Sequence, residues 1–136
     1  MHINLIVLKL NNLKNNILER LNIVMQAYKL SFINIEDKRE LEMFVKNISN
    51  KFKSNDTFAT SAEFGIASHY HKGFESRLFL SGHAIFTIYG EDIYCGPGTY
   101  IELKPEIVHS FKYSGGDPLS ALRFFNETDS WQAIFV

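Results

Sequence analysis

The sequence is poor in several things. It holds one cysteine, three prolines and one tryptophan in 136 residues. A single thiol excludes an internal disulfide framework, and Cys95 reads as a small core hydrophobe. No apolar run approaches the roughly 20 residues that cross a bilayer as a helix, so no membrane partner is expected. The apolar opening, Ile3 to Leu8, is short. It lacks a basic leading region and a small-residue cleavage site, and so does not read as a signal peptide. An excess of one charge is missing too, with 14 basic residues against 15 acidic and a net charge of −1. Without a basic stripe there is no electrostatic footprint for a nucleic-acid backbone. A cytoplasmic location follows by default.

Hydrophobic residues make up 46% of the chain, with 12 Phe and 6 Tyr. This length suits one domain with its own core, taken as residues 1–136, and these aromatics suit a β-rich interior. The pattern changes near residue 56. Before it, Leu13, Ile17, Leu21, Val24 and Tyr28 recur at three or four, which predicts a helix with Asn11 or Asn12 as its cap. Leu41, Phe44, Val45, Ile48 and Phe52 predict a second helix, with Glu36 and Asp37 at its N-terminus, where negative charge is favoured. Residues 3–8 fit either an added strand or a helix start. As a strand they could pair with a partner's edge in a homodimer.

From Phe58 onward the period is two. Strands are expected near 63–71, 75–81, 84–89, 92–95, 99–103, 108–113, 119–125 and 131–135. Ser81-Gly82-His83 reads as a hairpin turn between two of them, and Gly96-Pro97-Gly98 and Ser114 to Pro118 as sharp loops. About eight short, evenly spaced strands imply a sandwich or barrel. The expected arrangement is a helical segment 1–55 packed on a barrel of residues 56–136.

The chemistry gathers at His69-Tyr70-His71. Residues two apart on a strand project to one face, so both imidazoles can reach one ion. Glu75 follows four residues later, past Lys72-Gly73-Phe74, where a bend can bring its carboxylate to the same ion. His109 enters an apolar strand after Pro105. In an antiparallel barrel that strand can lie beside the histidine pair. Three imidazoles and a carboxylate suit a borderline divalent metal such as iron, nickel, manganese, cobalt or zinc. A lone histidine is more often a surface or hydrogen-bonded core residue, and His2 and His83 are read so.

His-x-His, three residues, Glu, six residues, Gly, and a later His after a Pro together resemble the two motifs of the cupin superfamily. The family glycine six positions before the first histidine is Glu63 here. The second motif is one residue shorter between Pro and His than usual. The resemblance implies a mainly β fold, a cupin-type double-stranded β-helix (jelly-roll) barrel, here with two N-terminal helices.

Within that superfamily the chain resembles the acireductone dioxygenases of methionine salvage over roughly residues 56–136. His69 to Leu80 is similar to that family's metal segment with its Glu-Val-Arg-Phe. Leu103 to Phe111 is similar to its second metal segment. Leu119 to Phe125, with Trp131, is similar to its end. The resemblance implies Fe(II) or Ni(II) held by His69, His71, Glu75 and His109. It also implies that Arg77 orients or stabilises an enediolate, with O2 as co-substrate. Trp131 and Phe111 read as packing residues. Bacterial members often carry an Asp, proposed as general base, just before the ligand Glu, and here that place is Phe74. The alternatives are another metal-dependent cupin enzyme, such as an isomerase, lyase or biosynthetic oxygenase, and a non-enzymatic small-molecule-binding cupin.

Overall fold

The structure is a computed structural model of the chain that describes residues 2–126 and 132–136. In order its elements are α1 (His2–Ala27), β1 (Tyr28–Phe32), α2 (Lys38–Ile48), β2 (Ser54–Thr60), β3 (Phe64–Tyr70), β4 (Glu75–Ser81), β5 (Ala84–Ile88), β6 (Glu91–Cys95), β7 (Thr99–Leu103), β8 (His109–Tyr113), β9 (Leu119–Phe125) and β10 (Ile134–Phe135). The strands form two five-stranded sheets, ordered β1-β7-β4-β9-β2 and β10-β3-β8-β5-β6. Every strand pair is antiparallel. The chain passes from one sheet to the other at every connection except β1 to β2 and β5 to β6. That alternation is the double-stranded β-helix.

Two apolar clusters hold it. Phe79, Phe86, Ile88, Ile101, Leu103, Phe111, Leu119 and Ala121 fill the space between the sheets. Leu78, Tyr100, Phe124 and Phe52 lie on the outer face of the first sheet, under Leu41, Phe44, Val45 and Ile48 of α2. Strand alternation explains the split, because Phe79 faces inward and Leu78 and Leu80 outward. Asp37 caps α2, its carboxylate accepting from the Glu40 amide at 3.1 Å.

Several sequence expectations change. Ser81-Gly82-His83 is not a hairpin turn, since β4 and β5 do not pair. Gly82 carries the chain over the barrel edge at φ +75°, and a Cβ there would lie 2.8 Å from Leu119 Cα and Pro118 O. The hairpin joins β5 to β6, where Tyr89 (φ 51°) and Gly90 (φ 78°) both take the left-handed conformation. Two such residues twist in the sense of the flanking strands.

Asn11 and Asn12 sit inside α1 and cap nothing, because the helix starts at His2 and takes in residues 3–8. The edge strand suggested for residues 3–8 is therefore absent. Tyr28 begins β1 rather than ending the helix. Segment 1–55 is thus not wholly helical, since it supplies β1 and the start of β2. Phe52 follows α2 but joins the same cluster. Unlike α2, α1 leaves its aliphatic side chains exposed. Ile6, Leu10, Leu13 and Ile17 are each more than half exposed. Ala27 is buried in the core at its end, and Arg20 Nη2 donates to Tyr89 O at 3.4 Å. Trp131 lies outside the described residues.

Candidate metal centre

A change of register builds one half of the site. In β3, Phe64 and Ile66 pack against the core, so strict alternation would turn Ser68 inward and His69 outward. Ile66 pairs with Phe111, but His69 pairs with His109, which leaves one extra residue on β3. Such a bulge shifts parity. Ala67 and Ser68 are both exposed, while His69 and His71 are buried. The second sheet thus presents His69, His71 and His109, with the His69 and His109 rings 4.4 Å apart. The first sheet presents Glu75 from the start of β4, on the inward face it shares with Arg77 and Phe79.

The structure brings His69, His71, Glu75 and His109 together. All four are buried, and one ligand atom from each lies within 4.8 Å of the others. Backbone carbonyls set the ring orientations. Nδ1 of His69 donates to Ala67 O at 2.7 Å, Nδ1 of His109 to Ile107 O at 2.8 Å, and Nδ1 of His71 to Gln132 O at 3.2 Å. With the ring proton held at Nδ1, Nε2 keeps its lone pair, which is the form a metal ligand needs.

Glu75 Oε2 lies 2.7 Å from His109 Nε2 and 3.3 Å from His71 Nε2. Yet Glu75 Oε2 and His109 Nε2 are buried without a hydrogen-bond partner. Unsatisfied buried polar atoms are costly and uncommon. Lone pairs facing each other call for a positive charge between them. A proton could serve one such pair, whereas a divalent cation serves all four donors.

The electrostatics point the same way. Burial alone would raise the Glu75 carboxyl. The Arg77 guanidinium, joined by His109 and His71, overrides it and holds the group well below the ordinary carboxylate range. His71 is raised, because its contact with Glu75 outweighs burial. His69 is lowered, chiefly by burial, with the neighbouring imidazoles adding to the effect. Arg77 Nη2 lies 2.9 Å from Glu75 Oε1 and its guanidinium sits 5.6 Å from the Phe111 ring. It is an interior residue, not a charge on the barrel surface. Phe74 points the other way. Its ring packs edge-on to Phe52 at 6.0 Å and lies under the Lys51 ammonium. His83 sits apart from the centre, against Gly96.

Sequence reasoning missed two things. The carbonyls of Ala67 and Ile107 orient imidazoles, and backbone groups leave no sequence signal. Arg123 lies opposite Arg77 on β9 and is held by Asp56 of β2. Arg123 fell in a stretch with a recognised resemblance, whereas Asp56 had no signal.

A double-stranded β-helix with an inward His, His, Glu and His cluster defines a cupin-type protein. The sequence model of the ARD/ARD' family matches residues 4–133, and the chain belongs to that family. The acireductone dioxygenase of Bacillus subtilis is 28% identical over 120 residues, covering 74% of this chain and 67% of that protein. The acireductone dioxygenase of Bacillus pumilus is 33% identical over 72 residues, or 49% of this chain and 41% of the relative. The chain therefore spans less than half the length of that curated relative. Among solved structures, an acireductone dioxygenase from Bacillus anthracis with a cadmium ion in its active centre superposes with a TM-score of 0.65. The match has 19% identity and covers 85% of this chain and 90% of that one. A cupin 2 domain-containing protein from Halorhodospira halophila gives a TM-score of 0.53 at 14% identity, covering 60% and 57%. Both likenesses are of fold.

Proposed function

We propose that this chain is a metal-dependent dioxygenase of the acireductone dioxygenase type. It cleaves an enediol substrate with O2 at Fe(II) or Ni(II) held by His69, His71, Glu75 and His109. The observation that carries the reading is the buried four-donor cluster, with three imidazoles pre-set by carbonyls to offer Nε2. The family match and the curated relatives support the choice of reaction. A bound metal supplies Lewis acidity and a redox centre for O2.

The chain's own residues do the rest. Arg77, fixed by Glu75 Oε1, stabilises negative charge on the enediolate oxygens, and its preorganisation makes that charge count. The Phe58 and Phe111 rings lie 5.9 and 5.6 Å from its guanidinium and pack it in place. Phe74 packs outward and cannot accept a proton. The substrate enters already ionised, or another group takes its proton. The reading carries with it a small-molecule substrate, a cytoplasmic setting and a place in methionine salvage.

Protein loaded with Fe(II) should consume O2 on addition of an acireductone. Arg77→Gln should lower kcat about 100-fold while the metal stays bound, the loss typical of one preorganised donor. Metal-replete protein that consumes no O2 with an acireductone would sink the reading. A second reading, another metal-dependent cupin reaction, is favoured by Phe74. It predicts turnover of a different chelating substrate by the same metal-loaded protein.

A further inference from the structure

Helix α1 carries a stripe of aliphatic side chains that its own barrel does not use. Ile6, Leu10, Leu13, Ile17 and Leu21 follow one another at steps of four, three, four and four. Each is at least half exposed, from 50% at Leu21 to 59% at Leu10. At about 3.6 residues per turn these positions share one side of the helix. The barrel meets a different side. Asn16, Glu19, Arg20 and Ile23 line a hollow with Tyr89 of the β5–β6 hairpin. Arg20 also lies 3.8 Å from Glu91 and donates to Tyr89 O. That side is about 110° away around the helix axis, so contact with the barrel leaves the stripe facing outward. A monomer rarely keeps an apolar patch beyond a few hundred Å² in water. With Val7 and Leu18 exposed at its margins, the stripe approaches the roughly 800 Å² per partner of a standard interface.

The spacing says what covers it. Ile6, Leu10, Leu13 and Ile17 fall at successive d and a places of a seven-residue repeat, the pattern of a seam between two helices. The next d place is Arg20, which the barrel holds, so the seam ends at Ile17. Read from either end, these steps are the same. A second α1 running antiparallel therefore sets Ile6 against Ile17 of the second copy and Leu10 against its Leu13. The same contacts recur with the roles exchanged, which is the self-complementary contact of a twofold dimer. Charge selects this direction. Lys9 is at a g place and Lys14 at an e place. Parallel helices in register face g against the following e, which would set Lys9 against Lys14 on both flanks, and like charges so placed repel. In the antiparallel pair e meets e and g meets g, so Lys14 faces Val7 and Lys9 faces Asn16. A membrane surface fits less well. An interfacial helix is rich in Lys and Arg on its polar face, whereas Asn12, Asn15, Glu19 and Asn22 stand opposite this stripe.

We propose that the stripe on α1 is a dimerisation surface, and that its occupant is α1 of a second copy of this chain running antiparallel. The two barrels, each joined at Ala27, then stand at opposite ends of the helix pair. The seam is short, and a short helix gains most of its stability from packing, so the dimer dissociates on dilution.

The test is sedimentation equilibrium of the full chain across a wide concentration range. Wild type should move reversibly between monomer and dimer. Leu10→Lys should raise the dissociation constant about tenfold or more, with metal uptake unchanged. Leu8→Lys, equally exposed but off the stripe, should leave the dimer intact. Direction is read by oxidising cysteine variants. Leu10→Cys protein mixed with Leu13→Cys protein should give a linked heterodimer far faster than either variant links to itself. A chain that stays monomeric at every concentration, or a dimer indifferent to Leu10→Lys, overturns the proposal. Self-linking of each cysteine variant without a preference for the mixed pair overturns the antiparallel arrangement. Binding of a monomeric chain to phosphatidylserine vesicles, lost in Leu10→Lys, would overturn it in favour of a membrane surface.

Discussion

At Glu75 burial and ion pairing oppose each other, and pairing wins. Its carboxyl is held well below the ordinary value of 4.5 by Arg77 and the adjacent imidazoles. A depressed carboxyl contributes stability that is full above its unfolded value and is lost as pH falls through its folded value. His71 has the opposite sign. Its raised value gives stability that is full below 6.5 and fades as pH rises through the folded value. The Glu75–His71 pair should therefore stabilise metal-free protein most in mildly acidic solution, opposed there by His69, whose lowered value costs stability below 6.5. Denaturant melts across pH should show that maximum in the stability difference between wild type and Glu75→Gln. Removing one partner of a buried pair should also cost Glu75→Gln about 3–5 kcal/mol. A variant as stable as wild type at neutral pH would show the pair to be unimportant. Cys95 offers a simpler test. Burial pushes its thiol up to about 12, and thiolate is the reactive form. A disulfide reagent at pH 8 should label it only on unfolding, whereas prompt labelling of folded protein would contradict the packing.

Among the elements, the strands that carry donors were legible and the N-terminal half was not. Strands from β3 to β9 fall within a residue or two of where alternation placed them, because each must bury alternate side chains. β2 was missed since Ser54, Asn55, Asp56 and Thr57 offer no apolar alternation, their inner face being partly polar. β1 was hidden by Tyr28, which fits the helical spacing of the preceding residues as well as the strand that follows. The four donors were legible as types and spacings, and their convergence depends on the β3 bulge, which no motif announces.

Turn positions follow the same logic. Gly82 and Gly116 both have positive φ, but a Cβ at Gly82 meets backbone at 2.8 Å and at Gly116 meets nothing within 4 Å. Both alanine variants carry the strain of that backbone, about 1 kcal/mol or more. Gly82→Ala adds overpacking of about 1–3 kcal/mol. Thermal melts should rank Gly82→Ala clearly below Gly116→Ala, and equal losses would contradict the edge crossing at Gly82.

The whole molecule divides into a packed barrel and an exposed helix. No helix among the described residues is long and apolar enough to cross a membrane. The barrel core and the cluster under α2 should exchange their amides slowest, while α1 of the monomer, apart from its buried end at Ala27, should exchange fast. A helix that gains little from packing is marginal in water. Slow exchange throughout α1 would show that it packs against something in solution.

Metal should couple to the barrel's stability, because the donors come from both sheets and a ligand bound only by the folded state stabilises it. Elemental analysis of protein purified without chelator, read beside its melting temperature, tests the central claim most directly. The account predicts close to one equivalent of iron or nickel per chain. It also predicts a lower melting temperature after chelation, and loss of both the metal and the chelator effect in His69→Ala and His109→Ala. Wild-type protein that takes up no transition metal, and melts at the same temperature with or without chelator, would contradict it.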